Sequence, residues 1–284
     1  MVCSSFRQIF KVISASAFLV ASGGAPAWSE TEFSFGVVPQ FEARRLSDIW
    51  APILDELERR TGLNLTMVGS PRIPDFEQGF ARGEFDFTYM NPYHSLIAFD
   101  TQGYEPLVRD GARQLFGVLV VEKNSGYKEV ADLEGKKIAF PAPNALGASL
   151  LMRADLSRQH GLNFVPDFVN THSSAYLNVL LGEAEAAGGV MATFNALDPA
   201  IRDRLRIVYE TTRMPPHPVV VHPRVPDEDA EKVRQAFIDM STSPEGRELL
   251  AQIPMLEAVR TDPGEYLVLR DFGLEDFYVE TGVE

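Results

Sequence analysis

Apolar positions along the chain keep two rhythms. Leu46, Ile49, Trp50, Ile53, Leu54 and Leu57 fall three or four residues apart, which predicts a helix with one apolar face. Ser47 or a neighbour is expected to cap its start, and Pro52 to interrupt its hydrogen bonding. Arg59 and Arg60 suit the negative end of its dipole, and Gly62 can end it. Leu150, Leu151, Ala154 and Leu156 repeat the helical spacing ahead of Gly161. Short apolar runs at 63–68, 137–140 and 162–169 predict strands, and those at 85–89 and 184–190 predict strands of the buried type. Further helices are predicted at 73–82, 173–181, 226–240 and 244–253, the last capped by Ser243 with Pro244 in its first turn.

Strands alternating with helices imply parallel pairing and right-handed crossovers. The order also repeats. Gly62-Leu63-Asn64 and Gly161-Leu162-Asn163 lie 99 residues apart, and so do Gly83-Glu84 and Gly182-Glu183. Two matches at one offset and in one order predict an α/β chain of two similar lobes, each a small doubly wound sheet. The runs 115–122 and 204–210 are expected to pass between the lobes as a two-stranded hinge, and 217–223 to return the chain to the first. Lobe 1 then takes residues 28–115 plus 213–284, and lobe 2 takes residues 116–212. A hinge of this kind leaves a cleft.

Residues 1–27 follow neither rhythm. Arg7 and Lys11 precede an apolar stretch from Val12 to Ala21, and Ala25-Pro26-Ala27 offers a small-x-small cleavage site. This is the pattern of a secretory signal peptide, too short to span a bilayer as a helix. No other stretch is long and apolar enough, so a periplasmic protein without direct membrane insertion is expected. Cys3, the single cysteine, lies in this leader, and the remaining chain has no disulfide or thiolate chemistry. The formal charge of −14, more negative still once Arg7 and Lys11 are gone, speaks against binding nucleic acid or anionic lipid.

Reactive constellations are missing from the sequence. It has no G-x-S-x-G elbow and no H-E-x-x-H pair. Ser125-Gly126-Tyr127-Lys128 fits S-x-x-K only formally, without its partner motifs. His217 and His222 stand five apart on a strand-like run, which puts them on opposite faces and makes them a poor metal pair. No catalytic residue, metal or cofactor is expected, and the chain reads as a monomer that binds a small molecule.

Open α/β sheets bind ligands beyond the carboxyl ends of their strands. Tyr89, Asn91, Tyr93 and His94 fall there in lobe 1, with Pro92 opening the next helix. In lobe 2 the turn Asn144, Ala145, Gly147, Ala148 and Ser149 enters a helix whose free N–H groups suit an anion, and its small residues admit a ligand to the backbone. His172 precedes Ser173 and Ser174, either of which can cap the following helix. Held inward, a charged His172 would donate to an anion, and binding would weaken as pH rose through its pKa. Gly188 and Gly189 end a strand where bulk is unwelcome, and Met191 and Thr193 follow. Phe41 and Arg44, after the first strand, are expected at the same mouth.

With these features in place, "FGVVPQFEARRL", "GEFDFTYMNPYHSLIAF", "DLEGKKIAFPAPNALGAS", "THSSAYLNVLLGEAEAAGGV" and "PPHPVVVHPRV" resemble the phosphate/phosphite/phosphonate-type solute-binding proteins of ABC transporters, over nearly all of the chain beyond the leader. The resemblance implies a type II periplasmic-binding-protein fold that closes around its ligand and presents the closed form to an ABC transporter permease. A membrane sensor reading the same closed form is the rival partner. The resemblance also implies ligand-binding roles for Tyr89, His172 and the loop Asn144–Ala148. Phosphonate binders carry Ser-Thr-Ser in that loop, where this chain has Ala145-Leu146-Gly147, so three hydroxyl donors are absent. Aminophosphonate binders place a carboxylate near Thr193–Phe194, and none stands here. A simple oxyanion or a more apolar ligand stays open.

Overall fold

The structure, a computed structural model, describes Met1 and residues 32–280, so the predicted leader, Met1 apart, lies outside the described residues. Two mixed sheets organise the chain. The first contains β1 (Glu32–Val37), β2 (Asn64–Val68), β3 (Phe87–Tyr89), β4 (Glu105–Asp110), β10 (Val219–Val221) and β11 (Ala258–Arg260), in the order β11-β4-β10-β3-β1-β2. The second contains β5 (Gly117–Glu122), β6 (Lys137–Phe140), β7 (Val165–Phe168), β8 (Ala186–Val190) and β9 (Leu205–Glu210), in the order β7-β6-β8-β5-β9. Strands β1, β2 and β3 pair in parallel, as do β6, β7 and β8. In each sheet the strand that arrives from the other lobe, β10 or β5, runs antiparallel to its neighbours.

The helices fill the crossovers. Helix α1 (Ala43–Thr61) buries the predicted face of Leu46, Ile49, Trp50, Ile53, Leu54 and Leu57. Ser47 lies inside this helix and caps nothing; Glu42 precedes it without a side-chain cap, and the helix continues through Pro52. After α2 (Ile73–Ala81) and α3 (Pro92–Gln102), a π turn over Leu146–Leu150 leads directly into α4 (Leu151–Arg158), and α5 (His172–Leu181) follows β7. Short α6 (Met191–Asn195) and α7 (Pro199–Arg202) follow β8, and α8 (Asp227–Thr242) with α9 (Pro244–Leu250) cover the first sheet's far side. The repeated glycines are structurally equivalent: Gly62, Gly83, Gly161 and Gly182 have φ of 69°, 70°, 59° and 74°, each ending or following a helix where a side chain would be strained.

The continuous apolar run of β5 serves two faces at once. Val118 and Val120 pack on one side of the second sheet with Tyr176 and Phe194, while Leu119 and Val121 pack on the other with Phe140 and Met152. The 115–122 and 204–210 runs are therefore strands within the second lobe and pair with each other; the crossings themselves are the segments 111–116 and 211–218. There Leu115 and Met214 exchange backbone hydrogen bonds of 3.0 and 2.8 Å, and Gly117 N–H donates to Thr211 Oγ1 at 2.8 Å. None of the described helices is long and apolar enough to cross a membrane.

Candidate functional site

Three glycines permit close approach at the head of the second lobe, two of them of backbone to backbone and one of backbone to a tyrosine ring. A Cβ on Gly117 would stand 1.9 Å from Gly147 O, one on Gly188 2.0 Å from Ala148 O, and one on Gly189 1.8 Å from Tyr176 Oη. The Leu146–Leu150 turn thus lies directly on β5 and β8. Its first N–H groups, at Leu146, Gly147 and Ala148, precede any possible intrahelical acceptor, and these residues line a cavity shared with the first lobe. That cavity measures about 10 Å³ and is lined by Val38, Gln40, Ile73 and Asn91 from one lobe, Ala145–Ala148, His172 and Val190 from the other, and His217 from a crossing segment. A space of this size holds about one water molecule. Among the described residues, no carboxylate, lysine or arginine lines it.

The two histidines of this cavity are neutral imidazoles. Burial pushes His172 down to about 3. Burial, with His94 and His172 nearby, does the same to His217. The charged donor expected at His172 is therefore corrected, because no acid pairs with the ring to offset its desolvation. Its Nδ1 lies 3.2 Å from Thr193 Oγ1, whose hydroxyl donates to Val190 O at 2.9 Å and also meets Tyr176 Oη at 2.9 Å. Helix α5 begins at His172 itself and is capped by Thr171, not by Ser173 or Ser174: Ser174 N–H donates to Thr171 Oγ1 at 3.0 Å. Ser173 is half-buried and outside the cavity lining.

Of the other predicted residues, Asn91, Ala145, Gly147 and Ala148 meet at the cavity, and six stand apart from it. Tyr89 lies behind His217, their rings stacked at 5.4 Å, with Trp50 on its other side at 5.0 Å. Its hydroxyl is buried without a partner, and burial pushes its pKa up. His94 turns into the first lobe's core between Phe76 and Phe80, and its Nε2 pairs with buried Glu77 at 2.8 Å. Tyr93 packs on Tyr278 of the C-terminal segment. Asn144 is spent on structure: its Nδ2 donates to Glu77 Oε2 and Val279 O, its Oδ1 accepts from Val279 N–H, and its carbonyl accepts from Asn91 Nδ2. Ser149 Oγ accepts from Arg153 Nε. Arg44 is exposed, while its neighbour Arg45 lies over the Phe41 ring at 4.0 Å and donates to Ala196 O of the other lobe at 3.2 Å.

Phe41, Met191 and Thr193 line a second space, a groove of about 590 Å³ beside the small cavity. Gln40, Val190 and His217 belong to both walls. Sequence reasoning missed Gln40, His217, Arg45 and Glu77. Gln40 and His217 approach each other to 3.4 Å only once the crossing segment is placed. The one available signal was "HPVVV": a histidine just before a strand that returns from the other lobe must lie at the interlobe seam.

Two lobes of mixed α/β build, joined by two crossing segments around a cavity whose polar side chains are Gln40, Asn91, His172 and His217, match the two-lobed class of periplasmic binding proteins. The model of the family described as "ABC transporter, phosphonate, periplasmic substrate-binding protein" matches residues 35–266, and the chain belongs to that family. A curated relative, the phosphonates-binding periplasmic protein of Escherichia coli (strain K12), is 20% identical over 256 residues, covering 84% of this chain and 75% of its own. The fold is shared with a binding protein component of an ABC phosphonate transporter from Pseudomonas aeruginosa, at 17% identity and a TM-score of 0.78 over 90% of each chain. A Prochlorococcus marinus protein solved in complex with methylphosphonate also has a TM-score of 0.78, at 13% identity over 87% of this chain and 98% of its own.

Proposed function

We propose that this substrate-binding component captures a small oxyanion of the phosphonate or phosphate kind in the cavity between its lobes and hands it, in the closed form, to an ABC permease. The leader over residues 1–27 would deliver it to the periplasm. The observation that carries the reading is the meeting of residues from both lobes at one cavity: the helical start Leu146–Ala148, whose N–H groups have no intrahelical acceptor, with Gln40, Asn91 and the two buried imidazoles. Oriented amides stabilise an anion without a counter-cation, each bond to a charged group contributing roughly 1.5–3 kcal/mol. The water-sized closed cavity means that ligand enters while the lobes are parted and holds them slightly wider than they stand empty. An amine-bearing phosphonate lacks a carboxylate to meet its ammonium among the lining residues.

Thermal-shift and calorimetric titrations with phosphate, methylphosphonate, 2-aminoethylphosphonate and sulfate test this. Phosphate or methylphosphonate should raise the melting temperature, and Gln40→Met should weaken that ligand at least tenfold. No shift with any of the four would end the proposal.

A further inference from the structure

The space between the lobes is divided unevenly. The inner cavity has room for about one water, whereas the adjoining groove of about 590 Å³ is within the range of pockets that enclose whole organic molecules. Both lobes build the groove: Phe41 and Ile253 on one side, Met191 and Ala196 on the other, with Phe116 on the crossing segment. Its wall is mostly apolar, and its single charged residue is Arg113, an exposed guanidinium with no ion pair among the described residues. In a chain of formal charge −14, an unpaired cation beside an apolar wall favours an apolar molecule that carries negative charge. Gln40, Val190 and His217 line both spaces, so the groove adjoins the cavity along these three residues.

We infer that the preferred ligand is an organic oxyanion with an apolar body of aromatic size: its anionic end meets the inner donors at Gln40 and His217, and its body fills the groove against Phe41, Met191 and Ile253. This rests on the oxyanion reading above and adds the class of substituent. It accounts for a loop without hydroxyls, since an oxyanion carrying a large apolar body draws part of its affinity from buried area. A ligand touching both walls also favours the closed form more than one confined to the inner cavity.

Calorimetric titration of the mature chain with methylphosphonate, phenylphosphonate and benzenesulfonate tests the inference. Phenylphosphonate should bind at least tenfold tighter than methylphosphonate. Ala196 and Ala251 line opposite sides of the groove and are both exposed, so Ala196→Trp and Ala251→Trp fill it from positions where folding tolerates bulk. Each should bring the ratio of the two affinities back toward one. Equal wild-type affinities, or a ratio that neither tryptophan changes, would overturn the inference while leaving the oxyanion reading intact. If methylphosphonate and phenylphosphonate both fail to bind, the phosphonate reading falls. Benzenesulfonate then decides the groove: binding that either tryptophan weakens tenfold supports it, and no binding overturns it.

Discussion

At His172 and His217, burial outweighs every other influence, and its sign fixes a pH dependence. Both rings titrate near 6.5 when unfolded and near 3 in the folded protein. Their folded-state pKa is depressed, so the stability they carry is complete above about pH 6.5 and is lost as pH falls toward 3. The melting temperature should be flat from pH 7 to 8.5 and fall between pH 6.5 and 5, before most carboxylates titrate. A double variant, His172→Gln with His217→Gln, should flatten that fall, and an unchanged slope would count against the assignment. Glu77 makes a second test: with His94 Nε2 at 2.8 Å and Asn144 Nδ2 at 3.1 Å on a side chain only 2% exposed, Glu77→Ala takes the buried His94 ring's partner and one of the two hydrogen bonds that Asn144 Nδ2 donates. Loss of about 3 kcal/mol in urea unfolding is expected, with Glu77→Gln losing less. The unwelcome bulk at Gly188 and Gly189 was readable from the chain, because paired glycines at a strand end need a close neighbour. The pairing of His94 with Glu77 was not: the two are 17 residues apart, and no local period links a helix face to the next helix's buried ring.

At the scale of elements, the C-terminal segment touches both lobes outside the hinge. Tyr278 packs on Tyr93 of the first lobe, whereas Val279 makes paired hydrogen bonds of 2.9 and 2.7 Å with Asn144 of the second. Arg153, largely buried and without an acid, donates to Phe277 O at 2.7 Å and Pro143 O at 2.9 Å. Asn144→Ala should release this strap. The Val279 amide would then exchange with solvent at least tenfold faster, with a stability loss of about 1–2 kcal/mol from the unpaired groups; unchanged exchange would show the strap to be held elsewhere. The longer helices and the central parallel strands were readable because each buries one face or two at a regular period, and the glycine repeat marked the lobes. The crossings were displaced by several residues in that reading, since a strand that serves both faces of its sheet looks no different from one that leaves it. The strap left no trace, because it is held through its own backbone carbonyls and a backbone N–H, and any sequence supplies those. Asn144 illustrates the result: its position after a strand was plain, but its side chain is committed to the strap and not to the cavity.

For the whole molecule, function depends on how the free energy of closure is shared between ligand and protein. Closure already has contacts of its own: Arg45 to Ala196 O, His172 N–H to Gln40 O at 3.4 Å, Asn91 to Asn144 O, and an apolar cluster in which Leu146, Ala148 and Val190 join the first lobe's core. Of these, the Arg45 bond is exposed and peripheral, so removing it tests closure without disturbing the core. A partly solvated bond of this kind contributes about 1 kcal/mol, a factor of about five in the closed-to-open ratio. Ligand affinity scales with the fraction of molecules in the closed, competent form. If the closed form is the minority without ligand, Arg45→Ala should weaken a phosphonate about fivefold; if it is the majority, affinity should hardly change while the closed fraction falls. Small-angle scattering separates the two cases, since the first predicts a large radius of gyration that shrinks on adding ligand and the second a small one that Arg45→Ala enlarges. The melting temperature should be the same in both, because the residue lies at an exposed helix start. Arg45→Ala without effect on either scattering or affinity would mean that the apolar seam alone closes the lobes, and that the ligand works against packing instead of hydrogen bonds when it enters.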